Sequence, residues 1–135
     1  MRRRLLVLGS CLLGLLLAAG VYAHGVHALS VSLDIEPDVV AIGATVDVAV
    51  QVCNNGTRGE YIRLDLFVTK DGTLIAQIPA IIFLPAATCV SKDYYVTIPS
   101  GFPTGTYCYR LRARTIKSPI VTAWSNEDCV QVVAL

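Results

Sequence analysis

The sequence predicts an all-β chain: seven short antiparallel strands packed as a β-sandwich, behind an N-terminal apolar signal helix. Three observations carry this. Apolar and polar residues alternate with a period of two, the pattern of strands with one face on a core and one toward water. Turn residues interrupt these runs at short, regular intervals. Beyond the N-terminal segment, no stretch shows a helical period.

The elements follow in chain order. Arg2, Arg3 and Arg4 precede the apolar run Leu5 to Ala18, and Val21-Tyr22-Ala23 leads to His24. That is the layout of a secretory signal peptide cut after Ala23; Val26-His27-Ala28 offers a second site. The run is also just long enough to remain as an uncleaved anchor with a cytoplasmic N-terminus. Leu8-Gly9-Ser10-Cys11 looks like a bacterial lipobox, but most of the apolar run follows Cys11 instead of preceding it. The expected division is a signal peptide over 1–23, a flexible segment over 24–28 and a sandwich domain over 29–135.

Strands are expected at 29–35, 45–53, 61–69, 73–78, 88–98, 105–115 and 121–134. Val46, Val48, Val50 and Val52 alternate with Asp47, Ala49, Gln51 and Cys53. Ile62, Leu64, Leu66 and Val68 alternate with Arg63, Asp65, Phe67 and Thr69, and Tyr107, Tyr109, Leu111 and Ala113 with Cys108, Arg110, Arg112 and Arg114. β-Branched and aromatic residues fill these runs, as strands prefer. Pro37-Asp38, Gly43, Asn54-Asn55-Gly56 and Pro99-Ser100-Gly101 punctuate them, and Lys70-Asp71-Gly72 reads as a hairpin turn. Ala80 to Pro85, the most apolar segment, is expected to cross between sheets and fill the core; the alternative is an exposed edge that exchanges strands in assembly.

Composition narrows the function. Cleavage after Ala23 would leave 112 residues with eight Lys+Arg against ten Asp+Glu, a formal charge of −2. That balance gives no global attraction to nucleic acid or to anionic membrane; membrane contact is expected only through the signal segment, if it is kept. Four cysteines remain: Cys53, Cys89, Cys108 and Cys129. An even count behind a signal peptide implies two disulfides in an oxidising compartment, so the chain is expected to be secreted, periplasmic or at the cell surface. No C-x2-C spacing supports structural zinc.

From Leu29 onward the chain resembles the immunoglobulin-like domains of bacterial surface proteins, particularly the CARDB type. Ser30-Val31-Ser32-Leu33-Asp34-Ile35-Glu36-Pro37, Ile42-Gly43, Val46 to Val52 with Asn54-Asn55-Gly56, and Pro99 to Tyr107 carry the resemblance. Tyr107 to Ala113 with Trp124-Ser125 also resembles the last hairpin of fibronectin type III domains. The resemblance implies an immunoglobulin-like fold and specifies no activity. Two departures from true immunoglobulin domains stand out. Trp124 lies near the end of the chain, and Cys108 follows Tyr107 directly, so it should point outward.

Four cysteines allow three pairings. In an immunoglobulin-like sandwich the second and fifth strands are antiparallel neighbours. Cys53 ends one and Cys89 begins the other, so Cys53–Cys89 is expected. Cys108–Cys129 then staples the last hairpin, in a register that sets Arg110 opposite Glu127, turns Asp128 inward and implies a bulge near Trp124 to Asp128. Both bridges read as surface staples.

Catalytic groups are scarce. Only His24 and His27 could serve as bases, and both precede the domain. Acidic residues are scattered singly, and no phosphate-binding loop exists. An enzyme is therefore not expected, nor is a resident cofactor or metal. Cleavage after Ala23 would expose His24, whose amine and imidazole, with His27 nearby, are the groups that chelate copper(II). That start resembles lytic polysaccharide monooxygenases and small periplasmic copper-binding proteins, although their distant second histidine is missing here. Arg110, Arg112 and Arg114 line one face of the sixth strand, with Arg63 and Phe67 beside them; they form either a solvated sheet face or an anion-recognition strip. The expected function is a non-enzymatic binding or structural module with a protein or glycan partner, acting through a sheet face or edge. The alternatives are a periplasmic copper-binding protein and a filament subunit assembled by strand exchange. Asn55-Gly56-Thr57 is an N-glycosylation sequon that also reads as a plain turn.

Overall fold

The structure, a computed structural model, describes residues 26–135; the expected signal segment and His24 lie outside them. The strands are β1 (Leu29–Glu36), β2 (Val39–Ala41), β3 (Thr45–Asn54), β4 (Glu60–Lys70), β5 (Thr73–Leu84), β6 (Thr88–Thr97), β7 (Gly105–Thr115), β8 (Thr122–Trp124) and β9 (Asp128–Val133). They form two sheets: β1-β3-β6, and β2-β9-β7-β4-β5 with β8 on β7. The all-β sandwich read from the alternation is the observed architecture. β4 turns into β5 through Asp71 and Gly72, whose φ angles of 49° and 86° suit the tight two-residue turn that Asp-Gly favours.

The even-numbered valines of β3 and the odd-numbered residues of β1 face the larger sheet. Leu33, Ile35, Val52, Ile62 and Val132 are almost wholly buried between the layers. Tyr107 is buried at the start of β7, and its hydroxyl donates to the Pro103 carbonyl at 2.7 Å. This is the corner contact that fixes the loop before the sixth main strand of immunoglobulin-like sandwiches. Asn54 is fully buried and ties the β3–β4 loop to the end of β5: Nδ2 donates to the carbonyls of Arg58 and Leu84, and Oδ1 accepts from the Gly56 N–H.

The structure departs from the sequence reading in several places. Ala80 to Leu84 does not cross between sheets. It continues β5 along β4 as an edge strand, with Ile81 63% and Phe83 52% exposed and only Leu84 buried. An apolar run looks the same at a core crossing and at an edge. β2 is an additional strand, pairing in parallel with β9. The expected final strand, 121–134, is split into β8 and β9. β7 pairs Cys108 with Cys129 but Arg112 with Trp124, so the register slips by one residue at the expected bulge. The ladder stops at Tyr109 and Asp128, and Arg110 lies over the Trp124 ring instead of pairing with Glu127.

That break ties the two sheets together. The Asn126 side chain bonds both the N–H and the C=O of Leu33, and an Asp128 carboxylate oxygen accepts from the Ile35 N–H at 2.8 Å. The inward turn of Asp128, unfavourable on sequence grounds, thus satisfies the outer edge of β1. Among the described residues the opposite side, between the unpaired outer edges of β5 and β6, is open. An apolar cleft of about 430 Å³ lies there, with Val48, Leu66, Ile78, Tyr94, Val96 and Tyr109 among its walls. Burial raises the pKa of the Tyr109 phenol.

Cys53 bonds Cys89 and Cys108 bonds Cys129. Both pairs join residues directly opposite on neighbouring strands. Cys53 is not a surface residue, however. It sits on the central strand of its sheet with Cys89 beside it and has no exposed area. Residues 26–28, expected as a flexible lead-in, are hydrogen-bonded to the β3–β4 loop. Thr57 N–H donates to the Val26 carbonyl and Asn55 N–H to that of Ala28, while Val26 N–H donates to the Thr57 hydroxyl. His27 Nδ1 contacts the Glu60 carboxylate. Asn55 is buried, with its Nδ2 on the Ser30 hydroxyl, so glycan attachment would require the loop to open.

Candidate functional site

Strand parity places Arg63, Asp65 and Phe67 of β4 on the outer face of the larger sheet. The β4–β7 register sets Arg63 opposite Arg114, Asp65 opposite Arg112 and Phe67 opposite Arg110. β8 adds Trp124 beside Arg112, and β5 adds Ile81 beside Arg63 and Gln77 beside Phe67. Arg63, Phe67, Arg110, Arg112 and Arg114 are therefore brought together on one surface. Along it the outward positions of β4 and β7 carry four arginines and one carboxylate, Asp65.

Part of this surface is a ladder of alternating cations and rings. The Arg110 guanidinium lies 4.5 Å from the Trp124 ring centre. Arg112 lies 5.5 Å from Trp124 and 5.1 Å from Phe67, and the two rings are 5.4 Å apart in a tilted contact. Guanidinium over an aromatic face is attractive because the ring quadrupole is negative there. Beneath the ladder Asp65 has no exposed area, although it points outward. Arg112 donates to it at 2.9 Å, Arg63 Nε at 3.2 Å and Gln77 Nε2 at 3.5 Å. The Arg112 hydrogen bond is the main cause that holds its carboxyl down at about 2; Arg63 and Gln77 assist, and burial opposes them.

Sequence reasoning assembled the arginines and Phe67 but missed Trp124 and Gln77. Trp124 joins the face only because of the register slip before β9. Asp65, which the alternation places on the same face, is the hub of the arrangement. The arginines are not equivalent. Arg112 and Arg63 share Asp65, and Arg110 rests on Trp124. Arg114 has no carboxylate partner among the described residues. It borders a second cleft of about 410 Å³, lined by Arg63, Ile81, Arg114, Thr115, Ile116 and Ile120.

Among the described residues, the cluster with metal-ligand spacing is Cys108, Glu127 and Cys129. Both sulfurs are held in a disulfide, so neither is a thiolate ligand.

No protein-family model and no curated protein matches the chain. Solved structures do. The CARDB domain of the PF1109 protein from Pyrococcus furiosus, in complex with di-metal ions, aligns with a TM-score of 0.52 at 20% identity, over 81% of this chain and 96% of that one. The fold is that of a CARDB domain. The same CARDB-type sandwich aligns with Spo0M, a sporulation control protein from Bacillus subtilis, with a TM-score of 0.52 at 17% identity and 82% of this chain covered. The chain spans about half of Spo0M, 51% of its length. It also matches 16% of a β-glucosidase from Erythrobacter marinus, with a TM-score of 0.54 at 11% identity over 79% of this chain. Such partial coverage of an enzyme is a likeness of fold and carries no catalytic implication.

Proposed function

We propose that the chain is an extracytoplasmic, non-catalytic binding module that recognises an acidic partner through the outer face of its larger sheet. The observation that carries this reading is the imbalance at the outward positions of β4 and β7: four arginines against one carboxylate, Asp65, which is itself buried. The rest of the domain is net acidic once 1–23 is set aside, so the positive charge is local. Local charge of one sign attracts partners of the other and orients them. Trp124, 44% exposed, supplies contact area of the kind that anchors interfaces. Two disulfides fit an oxidising compartment.

The test is retention on a sulfated polysaccharide matrix as a function of salt. Arg110→Gln with Arg114→Gln should elute at clearly lower salt than the parent. Arg58→Gln with Lys92→Gln, the same charge change elsewhere, should elute close to it. Equal shifts for both pairs would mean attraction without a site and would end the proposal.

A second reading is favoured by β5, which could accept a strand from another molecule. Over Thr73–Leu84 it carries no charge, and Leu74, Ile75, Ile78, Ile81 and Phe83 are each more than half exposed. Natural edge strands normally carry protective charges; here Pro79 is the one protective residue. Light scattering across a concentration series checks this, since a strict monomer excludes it.

A further inference from the structure

We propose that the cleft between Arg63 and Arg114 binds a carboxylate carried on an alkyl chain, a fatty-acid-like anion. This rests on the reading that the outer face is the binding face and names the chemistry of one place on it.

Two guanidiniums meet there without enough negative charge. Arg63 and Arg114 are directly opposite in the β4–β7 register, an arrangement that destabilises like charges. Asp65 receives Arg63 through Nε and one terminal nitrogen, and shares itself with Arg112. Arg114 has no such partner among the described residues. A carboxylate set between the two would relieve the repulsion and take paired, charge-assisted hydrogen bonds.

The walls decide what else the ligand carries. Ile81, Ile116 and Ile120 are 63%, 47% and 52% exposed around the cleft. The Thr115 hydroxyl is already spent, donating to the Pro119 carbonyl and accepting from the Val121 N–H. A sugar would find few partners for its hydroxyls here, since apart from the two arginines and the spent Thr115 the lining is isoleucine. An alkyl chain would cover three exposed isoleucines, and each buried methylene adds to affinity. The cleft volume of about 410 Å³ lies in the usual range for small-molecule sites.

Isothermal titration at low salt, below the micellar range, tests this with decanoate, acetate and decanol. Decanoate should bind at least tenfold tighter than either of the others, because acetate lacks the chain and decanol the charge. Arg114→Gln should weaken decanoate at least tenfold, Ile120→Gln should weaken it measurably, and Lys92→Gln should leave it unchanged. Thermal unfolding checks the fold: Arg114→Gln removes a like-charge pair and should melt no lower than the parent. Decanol binding as tightly as decanoate would place the ligand in the uncharged cleft between β5 and β6 and overturn the inference, as would full decanoate affinity in Arg114→Gln. Retention on the sulfated matrix without decanoate binding removes this inference alone. Loss of that retention removes the binding face itself.

Discussion

Asp65→Asn is the sharpest probe of the ladder. The substitution keeps the shape and removes the charge. It leaves Arg112, whose side chain is 22% exposed, and Arg63, 42% exposed, without their counter-ion. Breaking a buried pair costs about 3–5 kcal/mol. Both guanidiniums keep some water, so the cost should fall to about 2 kcal/mol. Linkage gives a similar figure. A carboxyl held near 2 instead of its ordinary 3.8 contributes on the order of 2 kcal/mol at neutral pH, less whatever solvent screens. The sign follows from the depressed value. The unfolded chain takes up the proton first as pH falls, so this stability is present above about pH 4 and is lost as pH falls toward 2.

Trp124, the only tryptophan, sits in the ladder and reports its unfolding by fluorescence. Urea midpoints at pH 7 should fall by about 1 M in the variant, given slopes of about 1–3 kcal/mol per molar for domains of this size. The gap between parent and variant should narrow steadily between pH 4 and pH 2. A midpoint within about 0.2 M of the parent, or a gap that stays constant with pH, would refute the reasoning. It would mean that Asp65 is a bystander beneath the rings.

Other substitutions test the frame around the face. Tyr107→Phe deletes the hydroxyl that donates to Pro103 and should cost about 1 kcal/mol by urea unfolding, with the fold intact. Asn54→Ala removes the partners of Arg58, Leu84 and Gly56 at a site with no exposed area, and should cost about 3 kcal/mol or more. Ile78→Lys, at a position 54% exposed, should change stability by less than about 0.5 kcal/mol, and light scattering should show any self-association through β5 abolished.

Much of the fold was legible because it depends on period and punctuation. The alternation in Val46–Val52 states which residues face the partner sheet, and Asp71-Gly72 states where β4 must turn. The strand order implied by the immunoglobulin-like resemblance led to the disulfide pairing. What escaped depends on lateral neighbours that the chain order does not reveal. Val39–Ala41 is too short to show a period, and its partner β9 lies about ninety residues away. Ala80 to Leu84 is apolar whether it crosses the core or lies at an edge; its pairing with β4 alone among the described strands decides. Trp124 reached the site through a one-residue slip, and a slip of that size moves every later side chain to the other face. Asp65 is buried because arginines from two strands and a glutamine from a third close over it, a consequence of three registers at once.

The two long sides of the sandwich differ in a way that directs attention to its surface. On one side the Asn126 and Asp128 side chains take up β1 backbone groups at Leu33 and Ile35. On the other side β5 and β6 have no strand beside their outer edges among the described residues, and an apolar cleft lies between them. Between these lies the outer face, where most of the positive charge is already bound internally. Arg112 and Arg63 hold Asp65, and Arg110 is stacked on Trp124. A ligand competing for those groups would have to break contacts that stabilise the sheet. Arg114 requires no such exchange, so an anion gains most, and the fold loses least, at the Arg63–Arg114 end of the face. The inner ladder then serves chiefly to hold the two strands in the register that sets this pair opposite each other. On that argument Trp124→Ala should weaken anion binding at Arg114 indirectly, by loosening β8 from β7, while Arg114→Gln should weaken it without any loss of stability.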